Sequence, residues 1–256
     1  MRMAGLLEVC ADSVCSAVNA ARGGADRIEL CSALPLGGLS PDEDLFCMVR
    51  ERVDIPVRVL LRPRAGDFLY DEDEFELLCR QASRFAGLGA DGIVIGMLNP
   101  DGTLDVERMS ALMACGDGCG VTLHRAFDVC RDAHEALRTA KKLGVDTILT
   151  SGQQARCADG ALLLRELVSE SGEGLRILIG GGVNADVIRA LAPQTGADAF
   201  HLSAKAAVPS GMEFRRENVP MGIPGLNEFE LWRCDEGAVR AAREALDAVC
   251  TARKEN

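Results

Sequence analysis

Two short apolar segments near the start of the chain each carry a glutamate and, two residues later, a cysteine. LLEVCADS contains Glu8 and Cys10, and RIELCSAL contains Glu29 and Cys31. Side chains alternate between the two faces of a strand, so each glutamate is predicted to share a face with its cysteine. Carboxylates act as general bases, whereas thiolates are soft metal ligands. The repeated spacing therefore predicts two matched pairs of side chains that hold a metal, carry out acid–base chemistry or only pack.

The elements that position these residues follow a repeating order along the chain. Apolar runs of strand length alternate with amphipathic segments of helical period, many of which end in glycine. Eight such units in 256 residues are typical of a (β/α)8 barrel, and we predict an α/β, single-domain TIM barrel over residues 1–256. An open doubly wound sheet is the alternative, but the G-x-G-x-x-G fingerprint does not follow the first strand. The predicted strands lie within residues 6–11, 27–32, 56–63, 92–98, 120–127, 147–152, 176–182 and 199–204.

One long segment breaks this alternation. Residues 205–233 are rich in proline and glycine and show no clear helix or strand pattern. We predict an extended connection after strand eight, of the kind that forms a lid, a binding loop or a subunit contact. The single tryptophan, Trp232, lies beside Phe229 and Leu231 in this segment. An exposed apolar cluster at these residues would favour a subunit interface and a homo-oligomer.

Charge and composition exclude several classes of protein. The formal net charge of −11 disfavours nucleic acid as a partner, because no basic surface would dominate such a field. No apolar run approaches the ~20 residues that span a bilayer, and the first residues lack the pattern of a signal peptide. The 11 cysteines are odd in number and scattered, which favours reduced thiols. We therefore expect a cytoplasmic protein without a membrane or nucleic-acid partner.

Functional side chains of a TIM barrel gather at the carboxyl-terminal ends of its strands, which we call the mouth. An inward-facing glutamate needs a cationic partner there, because an unpaired buried charge is costly. Arg62, Arg64 and His124 are the predicted partners of the two glutamates. The other candidate side chains at the mouth, besides the two Glu-x-Cys pairs, are His201 and Ser203 on strand eight. The alternative is a buried network of ion pairs that stabilises the fold and has no other function.

A glycine-rich segment, IGGGVNAD, follows strand seven and opens a helix. Loops after strands seven and eight of TIM barrels often bind phosphate through backbone N–H groups and a helix amino terminus. Gly181 and Gly182 would let the backbone approach such an anion, and Ser203 would add a hydroxyl. Arg64, together with Arg62, would clamp a second charged group. The alternative is that the glycines only form a tight turn.

The same residues are suited to acid–base catalysis on a small anion. Glu8 or Glu29 would be the general base, with its pKa raised by burial, and His124 would be the acid partner. Arg62 would orient the charged substrate. This set predicts chemistry of the isomerase, lyase or hydrolase type on a small phosphorylated or otherwise anionic or polyhydroxylated substrate.

Seven segments spread over residues 6 to about 216 resemble the CutC family. They are LLEVCADS, GGADRIELCSALPLGGLSP, RVLLRPRAGDFLYDEDE, DGIVIGML, TLHRAFDVCRD, ILTSGQ and IGGGVNADVI. The resemblance implies a TIM barrel, a cytosolic location and usually a homo-oligomer. It also implies an association with copper homeostasis.

Copper in the cytosol is Cu(I), which prefers thiolates, thioethers and imidazoles. Cys10 and Cys31 would supply two thiolates at one rim of the barrel, and His124, His201 or a methionine would supply a third ligand. Each cysteine, however, comes with a carboxylate, and arginines at the same mouth repel a cation. Two hypotheses stay open: a copper-binding protein that uses the two cysteines, and an acid–base enzyme that uses the two glutamates, Arg62 and His124.

Overall fold

Eight short parallel strands close into a barrel, which confirms the predicted fold. The computed structural model describes residues 5–216, 218–219, 221–223 and 227–255. Each strand is hydrogen-bonded to the next and the eighth returns to the first, so the barrel sheet is closed. Every strand lies inside a run predicted from the sequence. The strands are β1 Leu6–Ala11, β2 Arg27–Leu30, β3 Val57–Leu60, β4 Gly92–Ile95, β5 Gly120–Leu123, β6 Thr147–Thr150, β7 Arg176–Ile179 and β8 Ala199–Leu202.

Helices lie between the strands, and most begin at a polar residue that caps the first turn. The Asp71 side chain accepts a hydrogen bond from the Glu74 backbone N–H, and the Glu74 side chain accepts one from the Asp71 backbone N–H. In the part of the chain that the structure describes, no helix is long and apolar enough to cross a membrane. The helices are α1 Val14–Arg22, α2 Glu43–Arg50, α3 Glu72–Gly87, α4 Val106–Cys115, α5 Ala133–Leu143, α6 Ala161–Ser171, α7 Ala185–Thr195 and α8 Glu236–Glu255.

The two faces of the strands have different surroundings. Outward-facing side chains such as Leu7 and Ile28 are fully buried in the main apolar core, between the strands and the helices. Inward-facing side chains include two smaller apolar groups, Cys31 with Leu60 and Val94, and Leu149 with Leu178 and Ala199. Buried glutamate, arginine, histidine and threonine side chains accompany them. The strand alternation thus gives an apolar shell around a partly charged interior.

The segment at 205–233 contains structure that the sequence did not indicate. Its ends form two antiparallel strands, β9 Lys205–Pro209 and β10 Glu230–Cys234. Lys205 Nζ lies 4.9 Å from the centre of the Trp232 ring, which helps to join them. Both strands are largely exposed, so they lack the buried apolar run by which the barrel strands were predicted. Between these strands, residues 217, 220 and 224–226 lie outside the described residues.

Candidate functional site at the mouth of the barrel

Glu8 is the centre of a buried ion network that joins three neighbouring strands. The strand register places it beside Arg27 of β2 and His201 of β8. The Glu8 carboxylate accepts a hydrogen bond from Arg27 Nε at 2.5 Å, and it lies 2.7 Å from His201 Nδ1. Burial raises the pKa of Glu8, but the two cations outweigh burial and hold the pKa at about 2. Glu8 is therefore an ionised anchor and a weak base.

Glu29 lies nearer the mouth, opposite Cys10 in the register. Its Oε2 atom is buried without a hydrogen-bond partner among the described residues, and His201 Nδ1 is 4.0 Å away. Burial raises the pKa of Glu29 to about 7; Glu8 also raises it, while His201 and Arg27 oppose the rise. A carboxyl group that titrates near neutral pH is suited to accept and release a proton.

His201 connects the buried carboxylate of Glu8 to the mouth. Burial lowers the pKa of His201, but Cys10, Glu29 and Glu8 outweigh burial and keep it well above its ordinary value. The imidazole is therefore a cation in this network. From the sequence, His201 was a candidate only for the third copper ligand, whereas the structure also makes it a partner of a glutamate.

The two thiols of the Glu-x-Cys pairs lie close to this network. Cys10 Sγ is 3.8 Å from the Leu202 carbonyl oxygen, and Cys31 Sγ is 3.6 Å from the Ala11 carbonyl oxygen. Burial raises the pKa of Cys31 well above its ordinary value, and the neighbouring acidic groups of Cys10, Glu29 and Asp12 raise it further. A neutral thiol is therefore favoured at Cys31 when no cation is bound.

A compact group of potential metal ligands exists within the described residues, but it does not contain the thiols. It consists of Glu8, Glu29 and His201, whose ligand atoms all lie within 4.8 Å of one another. Two carboxylates and an imidazole form a hard donor set that does not suit Cu(I), and Arg27 already occupies one carboxylate. The thiols of Cys10 and Cys31 suit Cu(I), but among the described residues they do not form such a compact group with a third ligand.

Arg62 follows β3 and forms hydrogen bonds to the loops around the mouth. Its Nη1 atom donates to the carbonyl oxygens of Leu36 and Gly38, both at 3.1 Å, and its Nη2 atom donates to that of Gly66 at 2.9 Å. These bonds use the fork of the guanidinium and leave Nε buried without a partner among the described residues. Arg62 therefore positions loops and still offers one N–H group.

His124 directly follows β5 and lies beside Arg62. Its Nδ1 atom accepts a hydrogen bond from the Ala126 backbone N–H at 3.1 Å, while Nε2 is buried and has no partner within the described part of the chain. Burial and the charge of Arg62 lower the pKa of His124 to about 3. The Phe68 ring contacts both groups, with its centre 4.8 Å from the His124 ring centre and 5.2 Å from Arg62 Cζ.

Arg64 is bound by side chains of the loop after β3 and of α3. It donates to Glu74 through Nε at 2.5 Å and to Asp67 through Nη2 at 3.1 Å, and its guanidinium stacks on Tyr70. The side chain is 37% exposed, so these contacts form a surface network. Arg62 and Arg64 both lie beside Gly66, since Arg62 donates to its carbonyl oxygen and a Cβ atom at residue 66 would lie 3.3 Å from Arg64 Nη1. The surface ion pairs already use the Arg64 guanidinium, so anion binding by Arg64 stays a prediction.

The predicted glycine-rich turn follows β7. Gly181 and Gly182 have φ angles of +96° and +84°, which favour glycine. A Cβ atom at Gly181 would lie 3.0 Å from Ser151 Cβ, so close packing also accounts for this glycine. Asn184 caps α7 through a hydrogen bond from the Val187 N–H. Anion binding at these glycines and at Ser203, which is half-buried after β8, stays a prediction.

Arg27 is the residue that the sequence patterns did not single out. Arg62, Arg64 and His124 were the expected partners of the buried glutamates, but Arg27 and His201 are the ion-pair partners of Glu8. The signal was present, since Arg27 precedes Glu29 by two residues and therefore shares its inward face. Only the register between β1 and β2 shows that Arg27 lies directly beside Glu8.

Together the fold and these groups define a TIM-barrel protein with a small polar site at its mouth. A sequence model described as the CutC family matches residues 5–206. The chain belongs to the CutC family, as its seven segments predicted.

Several relatives are similar along most of their length. A family protein CutC from Chromobacterium violaceum is 40% identical over 242 residues, which cover 94% of this chain and 98% of the relative. A protein of Homo sapiens named copper homeostasis protein cutC homolog is 43% identical over 237 residues, which cover 92% of this chain and 86% of the relative. These names agree with the association that the resemblance implied.

Solved structures share the fold. The structure of a putative copper homeostasis protein CutC from Streptococcus agalactiae matches with a TM-score of 0.74 at 26% identity, covering 78% of this chain and 98% of that chain. A thiamine phosphate pyrophosphorylase from Pyrococcus furiosus matches with a TM-score of 0.56 at 18% identity, covering 95% of this chain and 96% of that chain. The second match extends to the barrel fold alone.

Proposed function

We propose that this protein is an acid–base enzyme whose proton-transfer group is Glu29. The observation that carries the proposal is the buried Glu29 carboxyl group, which has an unpartnered oxygen and a pKa raised to about 7 by burial. Catalytic acids and bases work best when their pKa lies near the working pH. A carboxyl group that only stabilised the fold would be expected to have its oxygens hydrogen-bonded.

The neighbours of Glu29 have distinct roles in this proposal. Glu8 stays ionised and holds Arg27 and His201 in place through short hydrogen bonds. His201 is a cation close to Glu29, so it stabilises negative charge that develops on a substrate. The proposed chemistry is proton abstraction on a small polar molecule, as in isomerases and lyases. Glu8 is therefore a positioning residue in this proposal, although its sequence pattern also suited a general base.

Proton exchange tests this proposal whichever overall reaction the enzyme catalyses. Small phosphorylated, carboxylated and polyhydroxylated compounds would be screened by thermal shift, and those that bind would be incubated with the protein in D2O. We expect wild-type protein to incorporate deuterium at a carbon atom of a bound compound. Glu29→Gln should bind the same compound but exchange at least about 100-fold more slowly, because the base is lost.

The matched control is Glu107→Gln, which changes an exposed glutamate on α4. This variant should exchange at the wild-type rate. Equal exchange rates for wild type and Glu29→Gln would overturn the proposal, as would compounds that bind at the mouth and never exchange.

A second candidate function is copper handling, with Cu(I) as cargo. Two observations favour it: mammalian relatives are named copper homeostasis proteins, and two thiols lie at the ends of adjacent strands. Glu29 and Asp12 add negative charge near Cys31, which attracts a cation. Cys10 and Cys31 would then be the ligands, and a bound Cu(I) would favour their thiolate forms.

Titration of the reduced protein with Cu(I) against a competing chelator tests this candidate. Tight one-to-one binding is expected for wild type, and the double variant Cys10→Ser, Cys31→Ser should lose it. Cys15→Ser, which changes an exposed cysteine, is the control and should bind like wild type. Copper affinity that survives the double change would exclude this pair as the ligands.

A cytoplasmic location and self-association belong to the proposal as well. All 11 cysteines are free thiols, which supports a reducing compartment. Large apolar side chains on and after β9 are exposed, including Val208, Met212 and Phe214, and these support contact with a second copy. Light scattering coupled to size exclusion would check the second expectation, and a monomer at micromolar concentration would contradict it.

A further inference from the structure

We propose that Arg62 and His124 form an oxyanion-binding site at the mouth, so that the molecule bound there carries a carboxylate or phosphate oxygen. Two N–H groups, Arg62 Nε and His124 Nε2, lie beside the same ring of Phe68 and have no acceptor among the described residues. The role of the bound molecule as a substrate rests on the proposed function. Binding of the anion itself is independent of that function.

The hydrogen bond to Nδ1 fixes the state of the His124 ring. Nδ1 accepts from the Ala126 backbone N–H, so this nitrogen carries no proton. The ring is neutral at physiological pH, because burial and Arg62 lower the pKa of His124 and disfavour its cation. Its single proton is therefore on Nε2, which makes this atom a hydrogen-bond donor. His124 is 4% exposed, so water has little access to that donor.

The Arg62 side chain presents its donor in a comparably closed position. It is 9% exposed, and three backbone carbonyls fix the far side of the guanidinium. Its Nε–H remains, and its positive charge attracts an anion. Buried donors without acceptors are rare and costly, so two of them beside one ring indicate an acceptor that the protein chain does not supply.

Gly96, which directly follows β4, leaves room for the His124 ring because it has no side chain. A Cβ atom at residue 96 would lie 2.5 Å from His124 Cε1, 2.6 Å from Nδ1 and 2.9 Å from Ala126 Cβ. Any larger residue would push the ring out of its place between Phe68 and β4. The ring position therefore depends on a glycine at the end of β4.

The chemistry of the two donors selects the ligand. Both N–H groups require an oxygen acceptor, and the charge of Arg62 favours an anionic one. A metal cation would be repelled by Arg62 and would find no free lone pair on His124 Nε2. The site therefore takes a small organic anion, and a carboxylate and a phosphate are the two forms to be distinguished.

Nitrogen-15 NMR of the histidine side chains tests the site directly, since the chain has only 3 histidines, His124, His134 and His201. The probes are inorganic phosphate and glycolate, added separately to the whole 256-residue chain. We expect the His124 Nε2–H signal to be present without ligand and to shift in a saturable manner with one of the probes. Absence of a saturable shift with both probes, or a His124 ring protonated on Nδ1, would overturn the inference.

Variants separate the site from general electrostatic attraction. Arg62→Lys should weaken binding of the anion by at least about 10-fold, because the lysine does not reproduce the Nε–H donor. Gly96→Ala should weaken binding similarly while leaving Arg62 in place. Arg64→Lys is the matched control and should bind like wild type. Equal binding by all of these proteins would reject the assigned donors.

Glu29→Gln distinguishes failure of this inference from failure of the proposed function. This variant should keep the anion-dependent shift of His124, because Glu29 is not one of the donors. If the anion binds but proton exchange is unchanged in Glu29→Gln, the anion-binding site is supported and the enzyme assignment is contradicted. If proton exchange depends on Glu29 but no anion affects His124, the anion-binding site is contradicted and the enzyme assignment is supported.

Discussion

The barrel contains two groups of charged side chains, one around Glu8 and Glu29 and one around Arg58, and they differ in how completely they satisfy one another. Arg58 of β3 donates to both carboxylate oxygens of Asp146, at 2.7 and 3.0 Å, and to Thr122 Oγ1 at 2.6 Å. Asp146 also accepts from the Val121 backbone N–H. Cβ atoms at Gly92 and Gly120 would lie within 2.8 Å of the Arg58 side chain, so small residues make room for it.

The group at the mouth is arranged differently. Arg27 Nη2, Glu29 Oε2, Arg62 Nε and His124 Nε2 are buried without partners among the described residues, and no atom of the Arg58–Asp146 group shares that condition. A charged group that satisfies itself holds strands together, whereas unsatisfied atoms indicate a place for a ligand. The Arg58–Asp146 group is therefore structural, whereas the group that contains Glu29, Arg62 and His124 is available for function.

The largest effect is expected from Glu8→Gln. It removes a fully buried carboxylate from the mouth group and leaves Arg27 and His201 without their anion. We expect a loss of about 3–5 kcal/mol in the free energy of unfolding, measured with urea at pH 7. Replacing both partners, as Glu8→Leu with Arg27→Met, should cost less than Glu8→Gln alone. A single-variant loss below about 1 kcal/mol would contradict the assigned anchoring role.

Arg58→Met tests the Arg58–Asp146 group. Asp146 loses its cation, but its side chain is 37% exposed, so water replaces part of the interaction. We expect a loss of about 2–3 kcal/mol in the free energy of unfolding. The NMR signals of His124 and His201 should not move. Shifted signals would show that the two charged groups are coupled and would remove the distinction between them.

Glu29→Gln should make the folded protein more stable at high pH. Burial raises the pKa of Glu29 from 4.5 to about 7. Between these two pH values the folded chain holds the proton more tightly than the unfolded chain does. The free energy of unfolding of wild type therefore falls as pH rises from 4.5 to about 7. Glutamine does not ionise, so we expect a gain of about 3 kcal/mol at pH 8 and no difference at pH 4. Urea titrations of both proteins across this range give the difference.

The depressed pKa of His124 acts in the opposite direction between about pH 3 and 6.5, where stability rises with pH. It is present in both proteins and cancels in their difference. A difference between wild type and Glu29→Gln that does not change with pH would show that the Glu29 pKa is near its ordinary value.

The smallest effect is expected from Arg64→Lys. Arg64 forms ion pairs with Glu74 and Asp67 at the surface, and such pairs contribute little. We expect a change below about 1 kcal/mol in the free energy of unfolding, measured as for the other variants. A larger loss would mean that Arg64 supports the mouth as Arg62 does.

Much of the fold was predictable because local patterns determine it. Each of the eight barrel strands lies in an apolar run that the sequence shows, and glycine or polar residues separate the strands from the helices. The strands β9 and β10 were not predictable, since they are largely exposed and carry no apolar run like those of the barrel strands. The ion-pair partners of Arg64 were not predictable either, because Asp67 and Glu74 lie after β3, where strand alternation does not apply.

Residue spacing along the chain was enough to place Glu8 and Glu29 on inward faces, each two residues before a cysteine, in a barrel with its function at one end. The difference between these two equivalent positions comes from the tertiary structure, with a pKa of about 2 at Glu8 and about 7 at Glu29, both set by burial and neighbouring charges. The register of the strands gives Glu8 both Arg27 and His201, and it gives Glu29 Cys10 and Arg58 as neighbours, although the Arg58 side chain pairs with Asp146. Electrostatic energy depends on distances between strands, which the spacing of residues along one strand does not contain.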